Sequence, residues 1–217
     1  MKATKPQVFI IETLRFSDEE EDRFEGRRIC DMLALSGKHC RYVYVRTKAE
    51  FAVVLDQFWE SQYRYLHLSC HADKGGMETT LDHIPFDELA KILEPYLEKR
   101  RLFLSACQMS CSELAKQLLP QTGCYSILGP SENIDMADAA IFWAALYHKV
   151  FRLNSESMNF RRLVATATLL SSIFSIPLNF FWPHEGRFKR YPIHPNPPPG
   201  KDAVLEWSFK RLRLPQQ

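Results

Sequence analysis

The 217-residue chain contains no apolar run near the ~20 residues that a bilayer-spanning helix requires, which excludes a helical membrane protein. The opening segment, MKATKPQVFIIETLRFSDEEE, lacks a secretory-signal pattern, because its apolar run is short and acidic residues follow at once. A cytoplasmic protein is expected. A surplus of positive charge is also missing. The net charge is +2, so there is no electrostatic case for direct nucleic-acid binding. The basic cluster Lys210, Arg211 and Arg213 is short and reads as a solvated tail. Cysteines occur at 30, 40, 70, 107, 111 and 124, yet no C-x-x-C pair does, which speaks against structural zinc and dithiol redox chemistry. Without a signal, the six are expected as free thiols rather than a disulfide framework. No internal repeat is present.

What is there is an alternation of apolar strands and amphipathic helices. Strands are expected at 7–14, 40–46, 64–70, 101–106 and 124–129, and helices at 18–36, 48–62, 86–99, 111–119, 136–152 and 156–174. Pro95 should kink or break its helix, and Gly37 should end the first. This order implies an α/β fold with a mainly parallel central sheet and helices on both faces. Residues 1–176 read as the domain, and 177–217 as a proline-rich C-terminal extension packing on or next to it. Within that extension, Phe180–Trp182 is either a partner-binding patch or buried under the tail, and AVLEWSFKRLRL is a strand or short helix.

Two strand ends carry chemistry. YRYLHLSCHADKGG puts His71 just beyond one apolar run, and RRLFLSACQMS puts Cys107 just beyond another. If the two strands are parallel neighbours, both residues meet at the sheet edge where open α/β folds place their sites. An imidazole beside a thiol takes its proton and turns it into a nucleophile. The oxyanion then needs donors, for which the backbone N–H groups of Cys107 and of Ala72–Lys74 are candidates, with Gly75 and Gly76 allowing a close approach to substrate. No third acid is obvious, and a backbone carbonyl is the expected partner that orients His71. Alone, Cys107 reads as a small core hydrophobe and His71 as an interior histidine. Their matched positions reverse that balance.

Other groupings are weaker. His67, Cys70, His71, Cys107 and Cys111 have poor spacing for a metal, since Cys70 points away from the face shared by His67 and His71. Cys111 either lines the pocket or begins a helix. The stripe Ile141, Phe142, Ala145, Leu146 and Val150 reads as core, His148 as a surface or packing residue, and the acidic run 18–22 as charge at a helix N-terminus.

HLSCHA and LFLSACQMSCSELAKQLL resemble the paired motifs of CHAT-type peptidases, which belong to the caspase-like cysteine peptidase clan. Ser105, Ala106, Cys107, Glu113, Leu114 and Ala115 match the Ser-Ala-Cys and Glu-Leu-Ala pattern, and CYSILGPSENID followed by MADAAIFWAALYHKVF resembles its continuation. The resemblance covers residues 60–152. It implies a caspase-like three-layer sandwich and endopeptidase activity, with His71 as base, Cys107 as nucleophile, and Ala72 and Cys107 as backbone oxyanion donors. Ala72 stands where the family has glycine, and the family's tandem helical repeats are missing. The resemblance also implies a bacterial, antiviral-defence or cell-death setting, a protein substrate, and an activating or sensor protein. No cofactor or metal, no direct nucleic acid and no membrane are expected from the charge, spacing and hydropathy of the chain. Clan relatives often cut after a basic or an acidic residue. Ser105, Glu132 and Asp135, with Asp138 behind, are the candidates for a pocket wall, where acidic groups would favour arginine or lysine. Asp135 is also placed to cap the helix after it. The second reading is an interaction module of the same fold without peptidase activity.

Overall fold

A computed structural model describes residues 3–195. The proline-rich run and the AVLEWSFKRLRL segment lie outside the described residues. In chain order the elements are β1 (Lys5–Glu12), α1 (Phe16–Glu20), α2 (Glu25–Leu35), β2 (Cys40–Tyr44), α3 (Lys48–Ser61), β3 (Tyr63–Ser69), β4 (His71–Ala72), β5 (Gly76–Glu78), β6 (His83–Pro85), α4 (Phe86–Leu93), β7 (Arg101–Ser105), α5 (Ser112–Thr122), β8 (Ser126–Pro130), α6 (Met136–Leu153), α7 (Phe160–Phe174), β9 (Leu178–His184) and β10 (Arg187–Ile193).

Seven strands form one sheet in the order β10-β9-β8-β7-β3-β1-β2. The five from β8 to β2 are parallel, and β9 and β10 run antiparallel at one edge. Successive side chains of each strand leave by opposite faces, so every central strand feeds two cores. Phe9, Ile11, Leu66, Leu68, Leu102 and Leu104 join α3, α4 and α5 on one face, through Phe51, Leu89 and Leu114. Val8, Ile10, Tyr65, Phe103 and Leu128 join α2, α6 and α7 on the other, through Ile29, Phe142 and Leu163. Burial on both faces is why the strands read as continuous apolar runs. Each such side chain contributes about 1.5–3 kcal/mol.

The expected helix over 18–36 is two pieces, with Asp22 at a positive φ of 55° in the break. Pro95 ends α4 in a 3-10 turn, as the missing N–H requires. Helix α5 continues through Pro120 and closes at Gly123, whose φ of +68° suits glycine. The α6 stripe needs correction at one position. Phe142, Leu146 and Val150 face the sheet together with Trp143 and Tyr147, while Ile141 is 55% exposed. Residues 178–193 are integral to the main sheet as β9 and β10. Phe180 and Phe181 are buried there, Phe180 against Phe160 and Trp182, and Phe181 against Phe188. Among the described residues, strands and helices supply that burial.

Two features are absent from the sequence reading. A small antiparallel sheet, β4-β5-β6, stands beside the main one. And Cys30 of α2 is disulfide-bonded to Cys40 of β2, which corrects the expectation of six free thiols; Cys70, Cys107, Cys111 and Cys124 are free.

Candidate functional site

Strands β3 and β7 are parallel neighbours in register, with Ser69 opposite Ser105. The Cys70 N–H donates to the Ser105 carbonyl at 3.1 Å, so the match continues beyond the ladder. His71 and Cys107 therefore each lie two residues past a matched pair, on one edge of the sheet. His71 opens β4 and Cys107 opens a turn whose next residue, Gln108, has a φ of 56°. A non-glycine residue held in the left-handed region is a strain that surrounding structure must sustain, and such positions gather at functional sites. The thiol is partly buried, with its Sγ 3.9 Å from the Ile134 carbonyl. No hydrogen bond joins it to His71 among the described residues.

His71 is oriented by a carboxylate, not by a backbone carbonyl. Its Nε2 lies 2.7 Å from Asp18 Oδ2. Asp18 sits in the short α1 just after β1, is 7% exposed, and also meets Arg23 Nη1 at 3.5 Å. With Nε2–H donated to the carboxylate, Nδ1 is left as the basic nitrogen. In the sequence Asp18 is indistinguishable from the rest of the acidic run. Its burial singles it out, and that follows from the break of the helix at Asp22.

The backbone donors follow from strand geometry. In the β4–β5 ladder Asp73 N–H bonds the Gly76 carbonyl at 3.1 Å, while Ala72 is opposite Met77. Hydrogen-bonded and non-bonded pairs alternate, so the Ala72 N–H points away from β5. Gly76 also has a packing role: a Cβ there would lie 2.2 Å from the Ile84 carbonyl, so glycine lets β6 pack closely.

At the ends of the same strands, β3 and β7, lies a buried polar cluster built on Glu25, the first residue of α2. Ser105 Oγ donates to Glu25 Oε1 at 2.6 Å and Ser69 Oγ to Glu25 Oε2 at 2.9 Å. Ser69 Oγ is also 3.3 Å from Glu12 Oε1, which accepts from the Gly26 N–H at 2.7 Å, and Tyr42 donates to Glu12 Oε2 at 2.8 Å. Desolvation, with the neighbouring Glu12 charge adding to it, pushes the Glu25 carboxyl up to about 8 against the lowering effect of the serine bonds. Burial raises Glu12 too. A carboxyl raised in the folded state adds stability that is full below its ordinary range and is lost as pH rises through the folded value. Raising the pH from 5 to 8 is therefore expected to lower the unfolding free energy through Glu25 by up to about 3.5 kcal/mol. Urea unfolding at both pH values would show Glu25→Gln flattening that dependence. An unchanged slope in the variant would contradict it.

Glu25 also lines a cavity of ≈ 240 Å³ between the starts of α2 and α6, with Asp22, Arg28, Asp135 and Ala140 among the other walls. Of the acidic pocket residues read from sequence, Asp135 is there. It caps α6 through Oδ1, which accepts from Ala137 N–H at 2.8 Å and Asp138 N–H at 3.3 Å. Ser105 lies under the pocket as a Glu25 partner. Glu132 and Asp138 are exposed and do not line the cavity, though the Glu132 carbonyl accepts from the Gln108 N–H at 3.5 Å. Cys111 is the residue before α5 and packs on the core. His148 is exposed, with Nδ1 3.0 Å from Ser36 Oγ. His67 is fully buried against Trp143 and Tyr147, and desolvation pushes it down to about 3, so it stays neutral. Burial drives the Cys70 thiol well up, which makes it inert.

No protein-family model matches the chain, and no curated protein matches it in sequence. Solved structures share its fold. A secreted C11 cysteine protease from Bacteroides thetaiotaomicron, iotapain, is similar at a TM-score of 0.52 and 11% identity, covering 83% of this chain and 67% of that one. The Arg-specific cysteine proteinase gingipain R is similar at a TM-score of 0.52 and 12% identity, covering 78% of this chain and 44% of that one. The architecture is thus the caspase-like α/β sandwich, with its mainly parallel central sheet and helices on both faces.

Proposed function

We propose that the protein is a cysteine endopeptidase in which Asp18 orients His71, His71 activates Cys107, and Glu25 selects a basic side chain. The observation that carries this is the matched register of β3 and β7, which delivers the thiol and the imidazole to one edge. The His71–Asp18 contact supports it, because an oriented imidazole has one nitrogen free to work. The likeness to a fold used by cysteine proteases, one of them Arg-specific, supports it further.

The chemistry runs in two halves. The substrate enters with its scissile carbonyl over Cys107. His71 Nδ1 takes the thiol proton and the thiolate sulfur attacks the carbonyl carbon. The Ala72 and Cys107 N–H groups receive the oxyanion. Collapse expels the amine, which leaves with the proton from His71, and a water activated by the same nitrogen hydrolyses the thioester. The aspartate holds the tautomer and stabilises the imidazolium. Alanine at 72 keeps its N–H, so it does not remove a donor from this scheme. The CHAT-type motifs around Cys107 extend the proposal to a bacterial, cytoplasmic defence enzyme switched on by a partner protein.

The competing reading is a catalytically silent module of the same fold. A peptidyl-arginine chloromethyl ketone separates the two. The expected result is alkylation of Cys107 ahead of Cys70, Cys111 and Cys124, and its loss in His71→Ala. Equal Cys107 labelling rates in both proteins would overturn the enzyme.

A further inference from the structure

The cavity between the starts of α2 and α6 is lined by Glu25, and Glu12 lies buried behind it, sharing the Ser69 hydroxyl; among the described residues neither carboxyl has a cationic partner. The cations nearby are engaged elsewhere. Arg28 at the cavity wall is bound to Asp22 at 2.6 Å, and Arg23 to Glu21 at 2.8 Å and Asp18 at 3.5 Å. What reaches Glu25 are two serine hydroxyls, and Ser69 has a single hydrogen to offer two carboxyl groups. Two buried carboxylates this close, without a cation, cannot both carry charge. A proton or a cation must neutralise the pair.

From this geometry we infer that the Glu12–Glu25 pair is a proton-exchange seat: a guanidinium or ammonium side chain enters the pocket only as the pair releases its proton to solvent. This rests on the basic-side-chain reading of the same pocket and adds when that side chain binds. Charge balances, since one proton leaves as one cation enters. A neutral side chain of the same shape needs no such release, so acidity sets the choice between charged and neutral substrates.

The groups that surround the pair place the exchange near neutrality. Glu12 comes from β1 with Tyr42 of β2 on its far oxygen, Cys70 and His71 lie at the end of β3, and Cys107 follows β7. Tyr147 and Asp135 face it from α6, Asp18 from α1, and Asp22, Arg23 and Arg28 from α2 and its approach. Tyr147 and Cys70 are held neutral by burial, so they add no charge of their own.

The test uses the full chain with Cys107→Ala, so that binding is read without chemistry. N-acetyl-arginine amide and its neutral isostere N-acetyl-citrulline amide are titrated by NMR at pH 6 and pH 9. With Glu25 near 8, arginine affinity is expected to rise about a hundredfold between the two, tenfold per pH unit at the acid end. The citrulline affinity should change less than about threefold. Glu25→Gln should flatten the arginine dependence, and Glu12→Gln, which removes the like charge, should move the midpoint to lower pH. Should Glu25→Gln not fold, that midpoint shift decides alone, and its absence overturns the exchange. Arginine binding that is flat with pH, or equally steep in Glu25→Gln, overturns the exchange and leaves the basic-side-chain pocket standing. No arginine binding at either pH overturns both.

Discussion

With Cys107 replaced by Ala, cleavage of a peptide library is expected to fall by about 10⁴-fold or more, while thermal stability stays within about 1 kcal/mol of the parent. The loss is this large because the thiolate is the atom that forms the new bond, and backbone donors alone recover only a small part of the acceleration. The fold is expected to tolerate the change. Cys107 is partly exposed and belongs to neither core cluster, and its Sγ contact with the Ile134 carbonyl is long at 3.9 Å. The library should contain every residue at the position before the cut, so that the preference of the Glu25 pocket is read in the same experiment. Parent and variant cleaving at the same rate would exclude Cys107 as nucleophile, whatever the fold.

Asp18→Asn is the second large effect, about 10³-fold in kcat with KM little changed. The side chain keeps its size, so the 2.7 Å contact with His71 Nε2 can persist. What goes is the charge that stabilises the imidazolium, and with it the certainty that Nε2 carries the proton and Nδ1 the lone pair. A purely structural role for Asp18 would lower stability and would not depend on the charge of the side chain. A positioning role lowers kcat while KM and stability stay close to those of the parent. Asp18→Glu, which restores the charge at a longer reach, should recover part of the loss. An asparagine variant with kcat unchanged from the parent would exclude the role.

The parallel core was legible because strands buried on both faces must be apolar along their whole length, as 101–106 and 64–70 are. The helices beside them were legible by period. What escaped is what depends on contacts between distant segments. The three strands of the small sheet are two or three residues long, too short for any alternation to show. Strands β9 and β10 hide in a segment whose aromatics and prolines look irregular, and only their pairing with β8 explains LNFFWPH. Glu25 and Glu12 each look like ordinary polar residues at an element's end. Their burial is decided by Ser69 and Ser105, which are 44 and 80 residues further on from Glu25. The strand-end placement of His71 and Cys107 was legible for the opposite reason: a strand end needs no distant partner to be recognised.

Asp18 and Glu25 both belong to the segment that runs from the end of β1 to the start of α2. In the proposed mechanism one of them holds the base in place and the other meets the incoming side chain. A shift in the length of that segment would then reach both at once, so reaction rate and residue preference are expected to be inherited as a unit. In any related chain, a change of loop length there should be accompanied by a change of preference, and grafting the segment from Glu12 to Glu25 should transplant both properties together.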